Sequence, residues 1–347
     1  MRLLAIAALG LATAAESVAQ YPVPPRPTSN VAIPPSALAL HETSRKNIVS
    51  EMGGAVVGTP KCDADGNLYI RKHAMDRPLL SPVVKVDSDG KRTALFDPAA
   101  FSQLALDRAD AFSPASDGGL YQIAQSGVVK PHIYVLHFSS DGSPSSPIRL
   151  EADFEVYSFA AFLNGNLLVS GFERDVQKPK DAGRAVTEVF SSDGRVLAQL
   201  AFQQPPPAKT AGKPDTKNVT FPGLDLSDAE VGNDGNLYAL RNSSPVLIYV
   251  ISPVGKVVRT LKVGAPAEGA LPEMFHVSKN RVAVSFEKDG SWMLVVVDTQ
   301  TGGKIATYFD PGTLGNSFAC YSAEDGVFTF LDLGEGNALK VIHAEAR

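Results

Sequence analysis

Four acidic residues, Asp110, Glu155, Asp228 and Glu273, recur at comparable points of the 347-residue chain, each just ahead of an apolar run. Carboxylates gathered from separate segments offer the hard oxygen donors that suit a Ca2+ ion, or a mouth for a cationic ligand. Crowding them would raise some of their pKa values. His276, three residues beyond Glu273, adds an imidazole that could act as a general base, so Glu273 and His276 form the best local catalytic pair. The chemistry this predicts is a Ca-type metal-dependent hydrolase or lyase. The competing reading is four solvated acidic loops on a protein that binds without turnover.

Other signatures of catalysis are missing. The sequence has no His-Glu-x-x-His, no Gly-x-Ser-x-Gly, no phosphate-cradling glycine loop and no cysteine metal cluster. Asp63-Ala64-Asp65-Gly66-Asn67 and Asp87-Ser88-Asp89-Gly90 resemble calcium loops at first sight. An EF-hand loop, however, needs glycine at its sixth position and glutamate at its twelfth, and here glycine is fourth. Asp and Gly are what tight turns require, so these segments read as turns.

The elements that must position the acidic residues are short strands. One family of turns precedes a strand, at Gly66, Gly118, Gly165, Gly235, Asn280 and Gly326, with successive spacings of 52, 47, 70, 45 and 46 residues. A second family follows a strand, at Gly90, Gly142, Gly194, Gly255 and Gly302-Gly303. Their alternation spells strand, turn, strand, loop, strand, turn, strand. A period of this length with four strands per unit is the mark of a β-propeller, whose sheets bury both faces only by stacking around an axis. Six units are expected, with first strands near Val56, Phe112, Phe159, Ala229, Phe275 and Phe318. The sixth lacks a fourth strand, and the alternating run at 37–42 is expected to supply it and close the ring.

Leu3 to Ala15 is apolar, and Ser17-Val18-Ala19 supplies small residues for cleavage, so 1–19 reads as a signal peptide and the chain as secreted or periplasmic. Residues 20–35 read as a Pro-rich linker, 36–347 as a single propeller domain and 203–220 as a mobile insertion. The mature chain has no run of membrane length. In an oxidising compartment Cys62 and Cys320 either bridge the first and last units at the closure seam or remain two buried thiols. A formal charge of −5 with both signs mixed along the chain makes nucleic acid an unsuitable partner.

Asn233-Asp234-Gly235-Asn236-Leu237-Tyr238 carries the turn and aromatic second strand that resemble six-bladed propellers of the NHL type. In place of that family's usual Asp closing the second strand stand Lys72 in the first unit and Arg241 or Asn242 in the fourth. The resemblance implies the all-β, six-bladed fold, four antiparallel strands per blade. Related six-bladed folds include metal-dependent lactonases, amidating lyases, quinone-dependent dehydrogenases and protein-binding modules. The expectation is therefore a monomeric, exported, non-catalytic propeller that binds a protein, peptide or carbohydrate on its loop face. Its alternative is the Ca2+-dependent enzyme.

Overall fold

The computed structural model describes residues 33–127, 131–174, 182–202, 226–288, 291–315, 317–333 and 339–346. The expected signal peptide, nearly all of the linker and the insertion at 203–220 lie outside them. An N-terminal strand β1 (Leu38–Asn47) and a one-turn helix α1 (Val49–Met52) come first. Four sheets of four antiparallel strands follow, each in simple chain order. The first holds β2 (Lys61–Cys62), β3 (Leu68–Arg71), β4 (Val83–Val86) and β5 (Arg92–Phe96). The second holds β6 (Arg108–Pro114), β7 (Leu120–Ser126), β8 (His132–Phe138) and β9 (Ile148–Leu150). In the third are β10 (Phe154–Ala161), β11 (Leu167–Arg174), β12 (Ala182–Phe190) and β13 (Val196–Leu200). The fourth is built from β14 (Asp228–Val231), β15 (Leu237–Arg241), β16 (Val246–Ile251) and β17 (Val257–Val263).

The remaining strands are β18 (Leu271–Ser278), β19 (Arg281–Lys288), β20 (Ser291–Asp298), β21 (Lys304–Phe309), β22 (Ser317–Ser322), β23 (Val327–Leu333) and β24 (Leu339–Ala346). They form one eight-stranded sheet in the order β18-β19-β20-β21-β1-β24-β23-β22. The sequence predicts equal four-stranded units here, and the difference has a simple cause. As expected, β1 pairs antiparallel with β24, from Leu40 opposite Ala346 to Asn47 opposite Lys340. Its first two residues then run on beside β21, where Leu38 faces Tyr308 and Ala39 faces Phe309 in parallel register. That contact fuses two strand groups into one sheet.

The fold is all-β and propeller-like. Its innermost strands β2, β6, β10, β14, β18 and β22 touch one another in that cyclic order, with β22 returning to β2. Apolar packing follows the same plan and divides among the interfaces between successive groups. Phe96 and Phe101 of the first group meet Phe138 of the second, and Tyr238 and Ile248 meet Phe275 and Phe286. Each such buried aromatic or aliphatic side chain contributes about 1.5–3 kcal/mol relative to exposure. The second and third strands of a unit are covered on both faces; β15 is buried at every position and β16 at every position but Leu247. By contrast, Val257 and Val258 on outer β17 are exposed.

Asp-Gly turns set the register. Gly66 and Gly235 adopt φ values of +79° and +76°, which a side chain would strain. Asp234 Oδ1 accepts the Asn236 backbone N–H at 3.1 Å, and its Oδ2 accepts the Tyr238 hydroxyl at 3.1 Å. Asp63 repeats the arrangement with the Asn67 N–H and the Tyr69 hydroxyl, so these aspartates are turn residues with a second role in fixing a buried tyrosine. Burial, with the Asp63 charge beside it, pushes the Tyr69 phenol far above its usual range.

Candidate functional site

The innermost strands surround a channel, and their side chains meet inside it. On β14, Asp228 and Glu230 are two apart and share a face, while Ala229 between them is buried in the apolar packing. Lys61 comes from β2, which does not neighbour β14 in the cyclic order, so its contact with Asp228 spans the channel. Its Nζ donates to Asp228 Oδ1 at 2.7 Å and to the Ala229 carbonyl at 3.2 Å. Burial pulls this ammonium down, but the charges of Asp228 and Glu230 and the hydrogen bond to Asp228 outweigh it, leaving the pKa above the usual lysine range.

His276 on β18 is buried in the wall of the same channel. Its Nδ1 lies 2.9 Å from Glu230 Oε2, which also accepts the Val277 backbone N–H at 3.1 Å. The ring lies against a disulfide between Cys62 and Cys320, whose Cα atoms are 5.8 Å apart. Cys62 Sγ is 3.4 Å from Nδ1 and 3.3 Å from Nε2; Cys320 Sγ is 3.8 Å from Nε2. The bridge links β2 to β22 across the seam that β1 and β24 also close, as one of the two sequence readings of the cysteines has it.

A cavity of about 380 Å3 opens from this wall toward the Asp-Gly turns. Lys61, Cys62, Ser113, Glu230 and His276 line its inner end, with Asp65, Ser116, Leu163 and Asn233 nearer the mouth. A second cavity of about 400 Å3 opens at the opposite mouth, where the inner strands begin, between Arg71, Arg108, Asp110, Tyr157 and Asp228.

The second mouth holds three of the four predicted metal carboxylates. Asp110 pairs with Arg108 and lies 3.9 Å from Arg71, Glu155 is 3.8 Å from Arg108, and Asp228 is taken by Lys61. Basic residues the sequence reading passed over thus interleave with the acidic ones. Burial draws the Arg71 guanidinium below its usual range despite Asp110. Glu273 stands apart on β18, where partial burial and then the Glu287 charge push its carboxyl above the usual range. Three residues of extended strand, about 10 Å, separate it from His276. The histidine's carboxylate partner is Glu230 of the neighbouring inner strand. Among the described residues, the only set of three potential metal ligands within 4.8 Å of one another is Cys62, His276 and Cys320. Parity of Asp228 and Glu230 on one strand, with Lys61 beside Cys62 on another, was the available signal for these wall residues.

No family model matches the sequence, and no curated protein matches it. Among solved structures, the chain is similar to a luciferin-regenerating enzyme at 11% identity and a TM-score of 0.50, over 87% of this chain and 95% of that one. It is also similar to the WD40 domain of Neurospora crassa Pan2 at 11% identity and a TM-score of 0.47, over 89% and 96% of the two chains. A putative exported protein from Bacteroides fragilis gives 13% identity and a TM-score of 0.47, over 91% and 93%. At such identities the likeness is one of fold.

Proposed function

We propose that the chain is an exported six-bladed propeller that binds a protein, peptide or carbohydrate ligand at the turn-side mouth of its channel, without turnover. The six-bladed reading treats the eight-stranded sheet as two blades joined where β1 brushes β21, and the cyclic contacts of the inner strands support it. Export is supported by the signal-like N-terminus and by the disulfide, a bond that persists in oxidising compartments. Among the described residues no helix is long and apolar enough to cross a membrane.

One observation carries the binding reading: the ionisable groups of the channel wall are already engaged with one another. Lys61 is held by Asp228 and His276 by Glu230, while Asp63 at the rim is held by its own turn and by Lys85 at 3.3 Å. What faces the cavity mouth is hydroxyl, amide and backbone beside the exposed Asp65 carboxylate, with an exposed Leu163 at the rim. Such a lining suits hydrogen-bonded recognition of a polar, non-acidic chain end.

Peptide and glycan arrays probed with the mature chain, followed by calorimetry on hits, test this. Leu163→Asp and Asn233→Ala should each weaken a true ligand at least about tenfold, the loss of a rim anchor. Turnover of a lactone, ester or sugar that disappears in His276→Ala would overturn the reading. So would a calcium-induced rise in melting temperature that Asp110→Asn removes, which would favour the Ca-type enzyme.

A further inference from the structure

Cys62, His276 and Cys320 play no part in the binding just described, yet they are buried together on three different inner strands. From their geometry we infer a second site: when a dithiol reduces the Cys62–Cys320 bond, the two thiolates and His276 Nε2 bind one soft or borderline divalent cation of the zinc type. Zinc takes sulfur at about 2.3 Å and imidazole nitrogen at about 2.0 Å, which in a tetrahedral site places nitrogen and sulfur about 3.5 Å apart. The distances from Nε2 to the two sulfurs, 3.3 Å and 3.8 Å, bracket that separation. The sulfurs themselves must part by under about 2 Å, from bonding distance to the edge of a tetrahedron. Side-chain rotation covers such a distance.

The surroundings fit. Glu230 Oε2 lies 2.9 Å from Nδ1, and in the neutral tautomer that donates to it Nε2 carries the lone pair. A carboxylate behind the imidazole is the usual support of a metal-bound histidine, and it orients the ring and raises its basicity. Cys62 and His276 both line the turn-side cavity, so the fourth coordination position opens onto water or a small ligand. Opening the bridge need not open the fold, because β1 and β24 still pair across the seam.

The chemistry balances. One dithiol passes two electrons and two protons to the bridge and becomes a disulfide, while Cys62 and Cys320 become thiols. Binding of the dication then releases both protons and leaves two thiolates whose charge matches the metal. The bridge therefore acts as a cap on the site, removed by reduction.

Cobalt(II) titration of the full mature chain, before and after reduction, is the test, with circular dichroism to follow the fold and a thiol count to confirm the redox state. The expected result is no thiols and no binding before reduction. After it, two thiols and one cobalt per chain should appear, with a near-ultraviolet thiolate-to-cobalt band. That band should vanish in His276→Gln, and Glu230→Gln should weaken binding about 10–100-fold, the usual loss when such a support is removed. Failure of the reduced chain to bind, folded or not, would overturn the proposal. Equal binding by the oxidised chain, or an unchanged band in His276→Gln, would do the same.

Discussion

The two mouths of the channel are built on different principles. At the turn-side mouth, a covalent bridge and Asp-Gly turns hold the wall, and the rim carries hydroxyls and amides with Asp63 and Asp65. At the other mouth, acidic and basic side chains from β2, β3, β6, β10 and β14 alternate, held by ion pairs in partial contact with water. The first arrangement resists salt and yields to reductant. The second yields to salt and ignores reductant. Lys61, reaching both cavities, is where the two systems meet.

Removing the bridge should have the largest effect on this contrast. The double variant Cys62→Ser, Cys320→Ser frees a loop of 258 residues in the unfolded chain and should cost about 4 kcal/mol, read as a fall of roughly 6 °C in melting temperature. A loss below about 1 kcal/mol would mean that β1 alone secures the seam.

Lys61→Met should come second. It leaves Asp228 and Glu230 facing an apolar side chain. Because Asp228 keeps 24% of its side chain exposed, the cost should be about 2–3 kcal/mol by urea unfolding, below that of a fully dry pair. Adding Asp228→Asn should recover part of the loss. If the double variant is no better than the single one, the pair is not what holds the channel together.

The smallest effect belongs to Glu273 and is visible only against pH. Its folded-state pKa is raised above the ordinary 4.5, so its contribution to stability is present below that value and lost as pH rises through the folded value. Because this carboxylate is exposed and screened by solvent, Glu273→Gln, which mimics the protonated form, should gain at most a few tenths of a kcal/mol at pH 7 and nothing below about pH 4. Thermal melts at the two pH values check the sign; a variant less stable at pH 7 would contradict it.

How much of this could be read in the sequence depended on distance along the chain. Turns and strands are local, and Asp234-Gly235 followed by alternating apolar residues states its hairpin within seven residues. Closure by the run at 37–42 was legible from a missing strand. The bridge was legible as one of two possibilities, from two cysteines at matching places on inner strands. Side-chain partners across the channel were not. Which carboxylate meets His276 depends on how far each inner strand is slid against its neighbour, so the nearby Glu273 looked better than Glu230, 46 residues away. The four acidic residues were visible as a recurring pattern, though they lie within the first three residues of the inner strands and not in loops ahead of them. Arg71 and Lys61 interrupt that pattern only in space, whereas Arg108 stands two residues before Asp110.

The pairing of β1 with β24 also orders events in time. Thr43 and His343, whose hydroxyl and carbonyl meet at 3.2 Å, are 300 residues apart, so one edge of the seam is made long before the other. Each interface between successive sheets can form as soon as its second sheet emerges, whereas the closing one must wait. Until then the growing chain is an open crescent with two bare strand edges, the kind of template that recruits other chains. Such non-local closure is slow, and the interval of exposed edges lies between the synthesis of β1 and that of β24.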